Sequence, residues 1–392
     1  MEHKTVTIGI VGAGYAAWLH GTGYEKTGKI IPRIKTIADI DLGRAQKMAD
    51  LFGIENITAR YEDMIEDPEI DVIDIVTPPF LHLEVIEKAL KAGKNVICEK
   101  PLCGYFGQPG DATPIGTAVP KGQMLKKVEA DLESLREVVK TSKGKFMYAE
   151  NFVYCPSMAT TAEMIRRKKS KILFMKGEES LKGSSSAMAG RWDGTGGGSL
   201  MRVGCHPLTG MLWLKQQEAK ARGEEIRVAS VTAVTNQVIP TLSEEDKKYI
   251  DMRPMDVEDL STVTIMFSDG SMALVIANDV CLGGAKNYVE AYCSNGNFVC
   301  TMTPADILQT YLPDESGVEE MDMGFGLSTK AGWNKPFVSD DVIRGYVGEF
   351  QDFLECVAYD REPQSDFDLA CDSLRVIYAA YQSAEEGRRI DL

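Results

Sequence analysis

The sequence predicts an α/β protein with an N-terminal Rossmann domain, a doubly wound parallel sheet, and a C-terminal α+β domain with a large, mainly antiparallel open sheet. Three observations support this. Strands alternate with helices of about ten residues over residues 1–142. A glycine-rich turn follows the first strand. From residue 143 the strand signals lie closer together, and the length of 392 residues accommodates two domains.

The first domain, residues 1–142, takes its elements from apolar runs bounded by turn residues. Thr5–Val11 is β-rich and apolar, as expected of a strand buried on both faces. Residues 103–122 are rich in Gly and Pro and predict a loop insertion. The predicted strands are 5–11, 34–38, 71–76 and 95–98, and the predicted helices end near residues 26, 52, 92 and 141.

The second domain, residues 143–392, is predicted to bind substrate and to mediate oligomerisation. Asp269-Gly270 and Asn295-Gly296 each lie between two β-rich runs and predict hairpins. The predicted strands are 145–150, 171–178, 226–236, 261–268, 271–278, 287–293 and 297–302, and the helices are about 157–169, 198–221, 341–359 and 366–387.

Charge and composition restrict the partners. The chain has 43 Lys+Arg against 58 Asp+Glu, a formal net charge of −15. Nucleic acid and anionic membranes are therefore not expected partners, because both need a positive surface. Nine cysteines without a CxxC pair predict neither a disulfide framework nor a metal site. No apolar run is long enough for a membrane helix, so we expect a soluble, cytoplasmic protein with a small-molecule ligand.

The turn after the first strand matches a dinucleotide fingerprint. Gly12 permits a tight turn, Gly14 lets the backbone approach a pyrophosphate, and Ala17 allows close packing of helix on strand. The start of the following helix, at Tyr15 and Ala16, offers unpaired N–H groups to the phosphates.

An acidic residue at the end of the second strand predicts which dinucleotide binds. Asp39 is placed to accept hydrogen bonds from the ribose hydroxyls and to repel a 2′-phosphate, which favours NAD over NADP. Asp41 competes with Asp39 for this role, one of the two being a helix cap. Arg44 is the residue that could accommodate a 2′-phosphate or simply face solvent.

Glu99-Lys100-Pro101 follows a predicted parallel strand, at the sheet edge where such folds bind ligands. A lysine there can hydrogen-bond a substrate hydroxyl and help to remove its proton. A solvated Glu-Lys pair is the structural alternative.

Together these motifs resemble the Gfo/Idh/MocA family, which includes glucose–fructose oxidoreductase and inositol dehydrogenase. The resemblance covers almost the whole chain. It is carried by Gly12–Ala17, Asp39-x-Asp41, Asp71–Pro78, His82, Ala92–Pro101, Gly196-Gly197-Gly198 with His206, and Gly387–Ile390. It implies an NAD-binding Rossmann domain, a C-terminal α/β domain, and oxidation or reduction of a sugar or cyclitol carbinol by nicotinamide.

The resemblance also assigns roles. It makes Lys100 and His206 the catalytic residues, and it places Thr77, Pro78, His82 and Glu99 at the cofactor. His3 lies in the N-terminal tail and His20 in the first predicted helix, so both look less catalytic than His206.

The chain departs from the family at Arg202, where many members carry an aspartate four residues before the histidine. A guanidinium one helical turn from His206 is expected to keep that imidazole neutral. Arg202 can instead grip a substrate carboxylate, or it can pair with a carboxylate elsewhere in the fold.

Two further segments are predicted to contact substrate. Tyr154 can stack on a sugar face or pack in the core, and Arg191 and Trp192 lie in a polar, Gly-rich loop. We expect an NAD-dependent sugar, glycoside or cyclitol dehydrogenase, with a 3-keto sugar product favoured. An acidic sugar held by Arg202 and a non-catalytic NAD-binding regulator are the alternatives. The protein is expected to form a homo-oligomer, a dimer, tetramer or larger, with loop 103–122 reaching a neighbouring subunit.

Overall fold

A computed structural model describes residues 4–282, 285–302, 308–321, 329–334 and 344–392. The chain divides into two compact units. The first unit contains residues 1–104, 128–154 and 345–371, and the second unit contains residues 105–127, 155–344 and 372–392. The sequence predicts a single boundary at residue 142, whereas the chain passes between the two units more than once. Most of the loop predicted as an insertion, 103–122, falls in the second unit.

The first unit contains a six-stranded parallel sheet. Its strands are β1 Thr5–Val11, β2 Ile31–Ala38, β3 Asn56–Thr58, β4 Val72–Ile75, β5 Asn95–Glu99 and β6 Phe146–Ala149. They lie in the order β3-β2-β1-β4-β5-β6, and every neighbouring pair is parallel. This is the order of a doubly wound dinucleotide-binding sheet, whose ligand edge is the carboxyl end of the strands. The predicted Rossmann fold is confirmed.

The second unit contains a mixed, mostly antiparallel sheet of nine described strands. They are β7 Ile172–Ser180, β8 Val228–Asn236, β9 Leu260–Phe267, β10 Met272–Asn278, β11 Lys286–Cys293, β12 Gly296–Thr301, β13 Leu308–Leu312, β14 Gly332–Asn334 and β15 Ile390–Asp391. The order is β14-β13-β12-β11-β7-β10-β9-β8-β15. β7 and β10 pair in parallel, and the other described pairs are antiparallel. The predicted large antiparallel sheet is confirmed.

Several of the helices pack on these sheets. The described α-helices are α1 Tyr15–Tyr24, α2 Leu42–Phe52, α3 Glu62–Glu66, α4 His82–Lys91, α5 Ile115–Ala118, α6 Lys121–Thr141, α7 Pro156–Lys168, α8 Trp192–Thr195, α9 Cys205–Arg222, α10 Tyr346–Tyr359 and α11 Phe367–Glu386. In the described part of the chain, none of them has the length and apolar character that crossing a membrane requires.

The largest difference from the predicted elements precedes α9. The sequence predicts one helix over 198–221, but Leu200–Gly204 forms a π-helical turn before the α-helix begins. Such turns are recognised by hydrogen bonding rather than by composition, and they occur often at functional sites. The short strands β3, β13, β14 and β15 were not predicted either. Residues 341–343, the start of the helix predicted over 341–359, lie outside the described residues.

Candidate functional site

The loop between β1 and α1 has the shape that a bound diphosphate requires. Gly12 has φ +106°, its N–H donates to Ala38 O at 2.7 Å, and a Cβ there would lie 2.8 Å from Val76 O. At Gly14, by contrast, a Cβ would meet no described atom within 4 Å. Gly14 precedes α1, whose first turn has no capping side chain. The helix start is therefore open, with N–H groups available to an anion.

Asp39 and Asp41, which compete for one role in the sequence, have separate roles in the structure. Asp39 Oδ2 accepts from Ala13 N and Oδ1 accepts from Asp41 N, both at 2.8 Å. Asp41 is the N-cap of α2, where Oδ1 accepts from Gly43 N and Arg44 N. The carboxylate of Asp39 is thus held beside the fingerprint loop, where a ribose would bind. Arg44 forms an exposed ion pair with Asp41 at 3.2 Å.

The predicted cofactor residues after β4 are joined to those after β5. His82 is buried, with Nε2 2.9 Å from Thr77 O and Nδ1 2.9 Å from Pro101 O. Burial lowers the pKa of His82, and a neutral ring donates to one of these two carbonyl oxygens at a time. Pro78 leads into a 3₁₀ turn at Pro79–Leu81. Among the described residues, the buried Thr77 Oγ1 has no hydrogen-bond partner, which fits a group that binds an added ligand.

Two further cofactor candidates begin α1. Tyr15 is 67% exposed, and its ring stacks on Trp18 with 5.6 Å between centroids. Ala16 is half-buried, and Ala17 is buried against the sheet as the fingerprint requires. The helix therefore presents an aromatic surface beside the open glycine loop.

Lys100 lies at the carboxyl end of β5 and is half-buried. The Glu99 side chain turns back onto the chain, and its Oε2 accepts from Lys100 N at 2.9 Å. This hydrogen bond fixes the backbone from which the Lys100 side chain extends.

A buried histidine, which was not predicted as a site residue, contacts the Glu99 side chain. His20 Nε2 lies 3.2 Å from Glu99 Oε1, and Nδ1 lies 2.9 Å and 3.0 Å from the two oxygens of Asp74. Burial lowers the pKa of His20, but Asp74 and Glu99 outweigh it and raise the pKa to about 10. The sequence feature that could have indicated this buried pair is Asp74, a carboxylate inside the apolar run 71–76.

The second unit holds His206 and Arg202. His206 is the second residue of α9 and is half-buried. Arg202 lies in the π-helical turn, and its Nη2 donates to Oδ2 of the fully buried Asp279. Burial raises the pKa of Asp279, while Arg202 opposes that shift. Of the three roles open to Arg202 in the sequence, the structure shows the pairing with a carboxylate of the fold.

Two buried carboxylates hold the Gly-rich loop of residues 184–198, which contains the candidates Arg191 and Trp192. Asp256 Oδ1 accepts from Trp192 N at 2.8 Å. Glu258 accepts from Gly198 N at 2.9 Å and from Leu200 N at 2.8 Å. Burial raises the pKa of Glu258 to about 7, against the opposing effect of these hydrogen bonds. Sequence spacing gives no signal for these acids, because their partners in the loop are backbone groups about 60 residues away in the chain.

The three remaining predicted substrate contacts differ in accessibility. Trp192 is 2% exposed, and its Nε1 donates to Tyr105 O at 3.0 Å. Tyr154, in the first unit, is buried, and its hydroxyl donates to Asp352 and accepts from Ser365 N, both at 3.0 Å. Both rings therefore pack within their own units with their polar atoms engaged. Arg191 is exposed and pairs with Asp193 at 2.9 Å. Substrate contact by these residues stays a prediction.

Family models match both parts of the chain. Residues 6–123 match the description "Oxidoreductase family, NAD-binding Rossmann fold", and residues 175–392, more than half of the chain, match "Oxidoreductase family, C-terminal alpha/beta domain". The chain belongs to the Gfo/Idh/MocA family. Its first unit carries the family's NAD-binding Rossmann fold, as the fingerprint and the strand order predict.

Two named relatives each match about a quarter of the chain. Levoglucosan dehydrogenase of Pseudarthrobacter phenanthrenivorans is 36% identical over 105 residues, 25% of this chain and 27% of that enzyme. Inositol 2-dehydrogenase/D-chiro-inositol 3-dehydrogenase of Lactiplantibacillus plantarum is 35% identical over 102 residues, 26% of this chain and 29% of that enzyme. Both alignments span less than a third of the relative's length.

Solved structures match over the full length. A levoglucosan dehydrogenase in complex with NADH superposes with a TM-score of 0.75 at 22% identity, covering 99% of each chain. This similarity establishes the shared fold.

Proposed function

We propose that this protein is an NAD-dependent oxidoreductase that transfers a hydride between nicotinamide and a secondary hydroxyl or ketone of a neutral sugar, glycoside or cyclitol. The observation that carries the proposal is the placement of Lys100. It extends from the carboxyl end of β5, an inner strand of an NAD-binding sheet, on a backbone held by Glu99. The relatives named for levoglucosan and inositol support the substrate class.

NAD is the proposed cofactor in preference to NADP. Asp39 is held by two backbone N–H groups beside the fingerprint loop, and it retains lone pairs for the ribose hydroxyls. A carboxylate in that position repels a 2′-phosphate. Arg44, the nearby cation, already pairs with Asp41.

In the proposed reaction, His206 accepts the proton of the substrate hydroxyl. Lys100 hydrogen-bonds the same oxygen and stabilises the negative charge that develops on it. Bound NAD⁺ supplies the hydride acceptor. The carbinol C–H bond breaks with its electron pair, the C=O bond forms, and the hydroxyl proton remains on the protein until it reaches solvent. The family resemblance favours oxidation at C3 of a sugar, which gives a 3-keto product.

A neutral substrate is favoured over an acidic one by the state of Arg202. Its guanidinium is paired with the buried carboxylate of Asp279, so the pair carries no net charge. A substrate carboxylate would have to compete with Asp279 for the same guanidinium.

The test is a substrate screen with purified enzyme from which bound nucleotide has been removed. Levoglucosan, inositols, simple glycosides and the corresponding uronates are incubated with NAD⁺ while the absorbance of NADH is recorded. We expect turnover of a neutral compound and a loss of about 10²–10⁴-fold in kcat for Lys100→Ala and His206→Ala, with NAD⁺ affinity nearly unchanged.

Lys91→Ala is the matched control, because Lys91 is an exposed lysine at the end of α4 in the same unit, paired with Glu87. It should keep full activity. Full activity of both catalytic variants on the compound that the wild type oxidises would refute the assigned roles. Tight NAD⁺ binding without turnover of any compound would favour the regulatory alternative.

A further inference from the structure

Four groups in the first unit form one continuous chain of hydrogen bonds beneath Lys100. It runs from Asp74 on β4 to His20 on α1, from His20 to Glu99 on β5, and from Glu99 to the backbone N–H of Lys100. No contact in this chain exceeds 3.2 Å. His20 and Asp74 are fully buried, and the Glu99 side chain is 13% exposed.

The charge state of the chain follows from its donors and acceptors. Ionised carboxylates only accept hydrogen bonds, and a neutral imidazole has one donor. His20 faces a carboxylate with each ring nitrogen, so it satisfies both only as an imidazolium. A cation between two carboxylates also avoids burying two like charges side by side.

The surroundings of His20 strengthen this state. Tyr24 on α1 donates its hydroxyl to Asp74 Oδ2 at 2.8 Å. Phe350 on α10 contacts the imidazole edge-on, with 4.6 Å between centroids. Glu349 on α10 is fully buried, and burial, with Glu99, Glu150 and Asp74, raises its pKa well above the usual value although His20 opposes the shift. This shift favours the neutral form of Glu349, and the imidazole faces the carboxylates of Asp74 and Glu99.

We propose that His20 is a positioning residue for the reaction: as a buried imidazolium anchored by Asp74, it holds the Glu99 carboxylate against the Lys100 amide and thereby fixes the catalytic lysine. This inference rests on the proposed role of Lys100. Without the cation, Glu99 is a partly buried carboxylate beside Asp74 and turns toward solvent. The Lys100 N–H then loses its acceptor, and a displacement of the order of 1 Å at a reacting group costs about a hundredfold in rate.

The first measurement reads the charge of His20 directly. The enzyme is labelled with ¹⁵N-histidine, and the chain has only four histidines, so His20→Gln assigns the His20 signals. We expect both ring nitrogens of His20 to be protonated from pH 6 to about pH 9. A neutral His20 ring at pH 7 would overturn the inference.

The second measurement reads the link to Lys100 without using a substrate. Amide hydrogen exchange is followed at Lys100 in the wild type, His20→Gln and Asp74→Asn. We expect exchange to accelerate at least about tenfold in both variants, because the Glu99 acceptor is released. Asp74→Asn keeps the shape of the side chain, so it serves if His20→Gln does not fold.

The third measurement separates positioning from stability. With the neutral substrate, both variants should lose about tenfold to a hundredfold in kcat while NAD⁺ affinity changes little. Asp74 raises the pKa of His20, so in Asp74→Asn the imidazolium should lose its proton at lower pH. The fall of kcat on the alkaline side of its pH profile should therefore also move to lower pH. Lys215→Met is the matched control: it breaks a buried lysine–glutamate pair of the second unit, at 2.6 Å, and should change stability but neither kcat nor Lys100 exchange.

The outcomes distinguish this inference from the proposed function. Unchanged exchange at Lys100 in a folded His20→Gln or Asp74→Asn enzyme would overturn the positioning role. Absence of turnover in the wild type, with accelerated exchange in the variants, would instead overturn the dehydrogenase assignment.

Discussion

The Glu99–Lys100 segment of the first unit and the Gly-rich loop of the second unit are held in place by side chains of opposite charge. Each is an irregular segment that carries a candidate site residue or leads to one. The first is held by a buried cation, His20, between two carboxylates. The second is held by buried carboxylates, Asp256 and Glu258, that accept directly from backbone N–H groups.

The difference indicates which change would release each segment. We call the side chains that hold each segment its anchor: His20 with Asp74 and Glu99 for the first, and Asp256 with Glu258 for the second. A carboxylate that accepts several N–H groups is satisfied without a counter-charge, so the second anchor depends on backbone geometry. The first anchor depends on an imidazolium between two carboxylates, so removal of a single charge should disrupt it even at constant pH. Arg202 and Asp279 are an intermediate case in which a buried charge is compensated by one side chain.

Removing the Arg202 cation from its pair with Asp279 should have the largest effect on stability. Arg202→Met leaves Asp279 buried without its cation, and we expect a loss of about 3–5 kcal/mol in the free energy of unfolding. Denaturant unfolding measures it. Arg202→Met combined with Asp279→Leu should recover most of the loss, since no charge remains. Arg191→Met, which breaks an exposed pair, should show no measurable loss. Equal losses of unfolding free energy in Arg202→Met and Arg191→Met would contradict the difference expected between a buried and an exposed ion pair.

The two anchors should respond to pH in separate windows. The pKa of His20 is raised from 6.5 to about 10, so its contribution to stability is complete below pH 6.5 and is lost as pH rises through 10. The pKa of Glu258 is raised from 4.5 to about 7, so its contribution is complete below pH 4.5 and is lost as pH rises through 7.

Unfolding free energies measured from pH 4 to 10 check these windows. His20→Gln should remove the decline between pH 6.5 and 10. Glu258→Gln should remove the decline between pH 4.5 and 7. A decline in either window that persists in its variant would show that another group causes it.

The smallest expected change concerns cofactor choice and leaves both anchors intact. Asp39→Ser removes the charge that repels a 2′-phosphate, and we expect the preference for NAD⁺ over NADP⁺ to fall by about tenfold or more. Binding constants for both nucleotides measure it. Asp50→Ser, at an exposed acid of α2, is the control. An unchanged preference would remove Asp39 from cofactor selection.

Local rules explain which features the sequence could predict. The glycine fingerprint, the Asp41 cap and the alternating strands each depend on neighbouring residues, and the structure has them where predicted. The partners of Glu258 and Asp279 lie 58 to 123 residues away, so spacing could not reveal them. His20 was missed for the same reason, since its two carboxylates come from β4 and β5. Trp192 lies in a polar loop predicted to contact substrate, yet it is 2% exposed and its backbone N–H donates to Asp256.

The central claim is that Lys100 takes part in the chemical step. The most direct test is a single turnover, in which enzyme saturated with NAD⁺ is mixed rapidly with the neutral substrate, and with the same substrate deuterated at the reacting carbon. For the wild type we predict fast NADH formation with a primary isotope effect. For Lys100→Met we predict the same NAD⁺ binding and a rate lower by about 10²–10⁴-fold. A Lys100→Met enzyme that forms NADH at the wild-type rate would contradict the account.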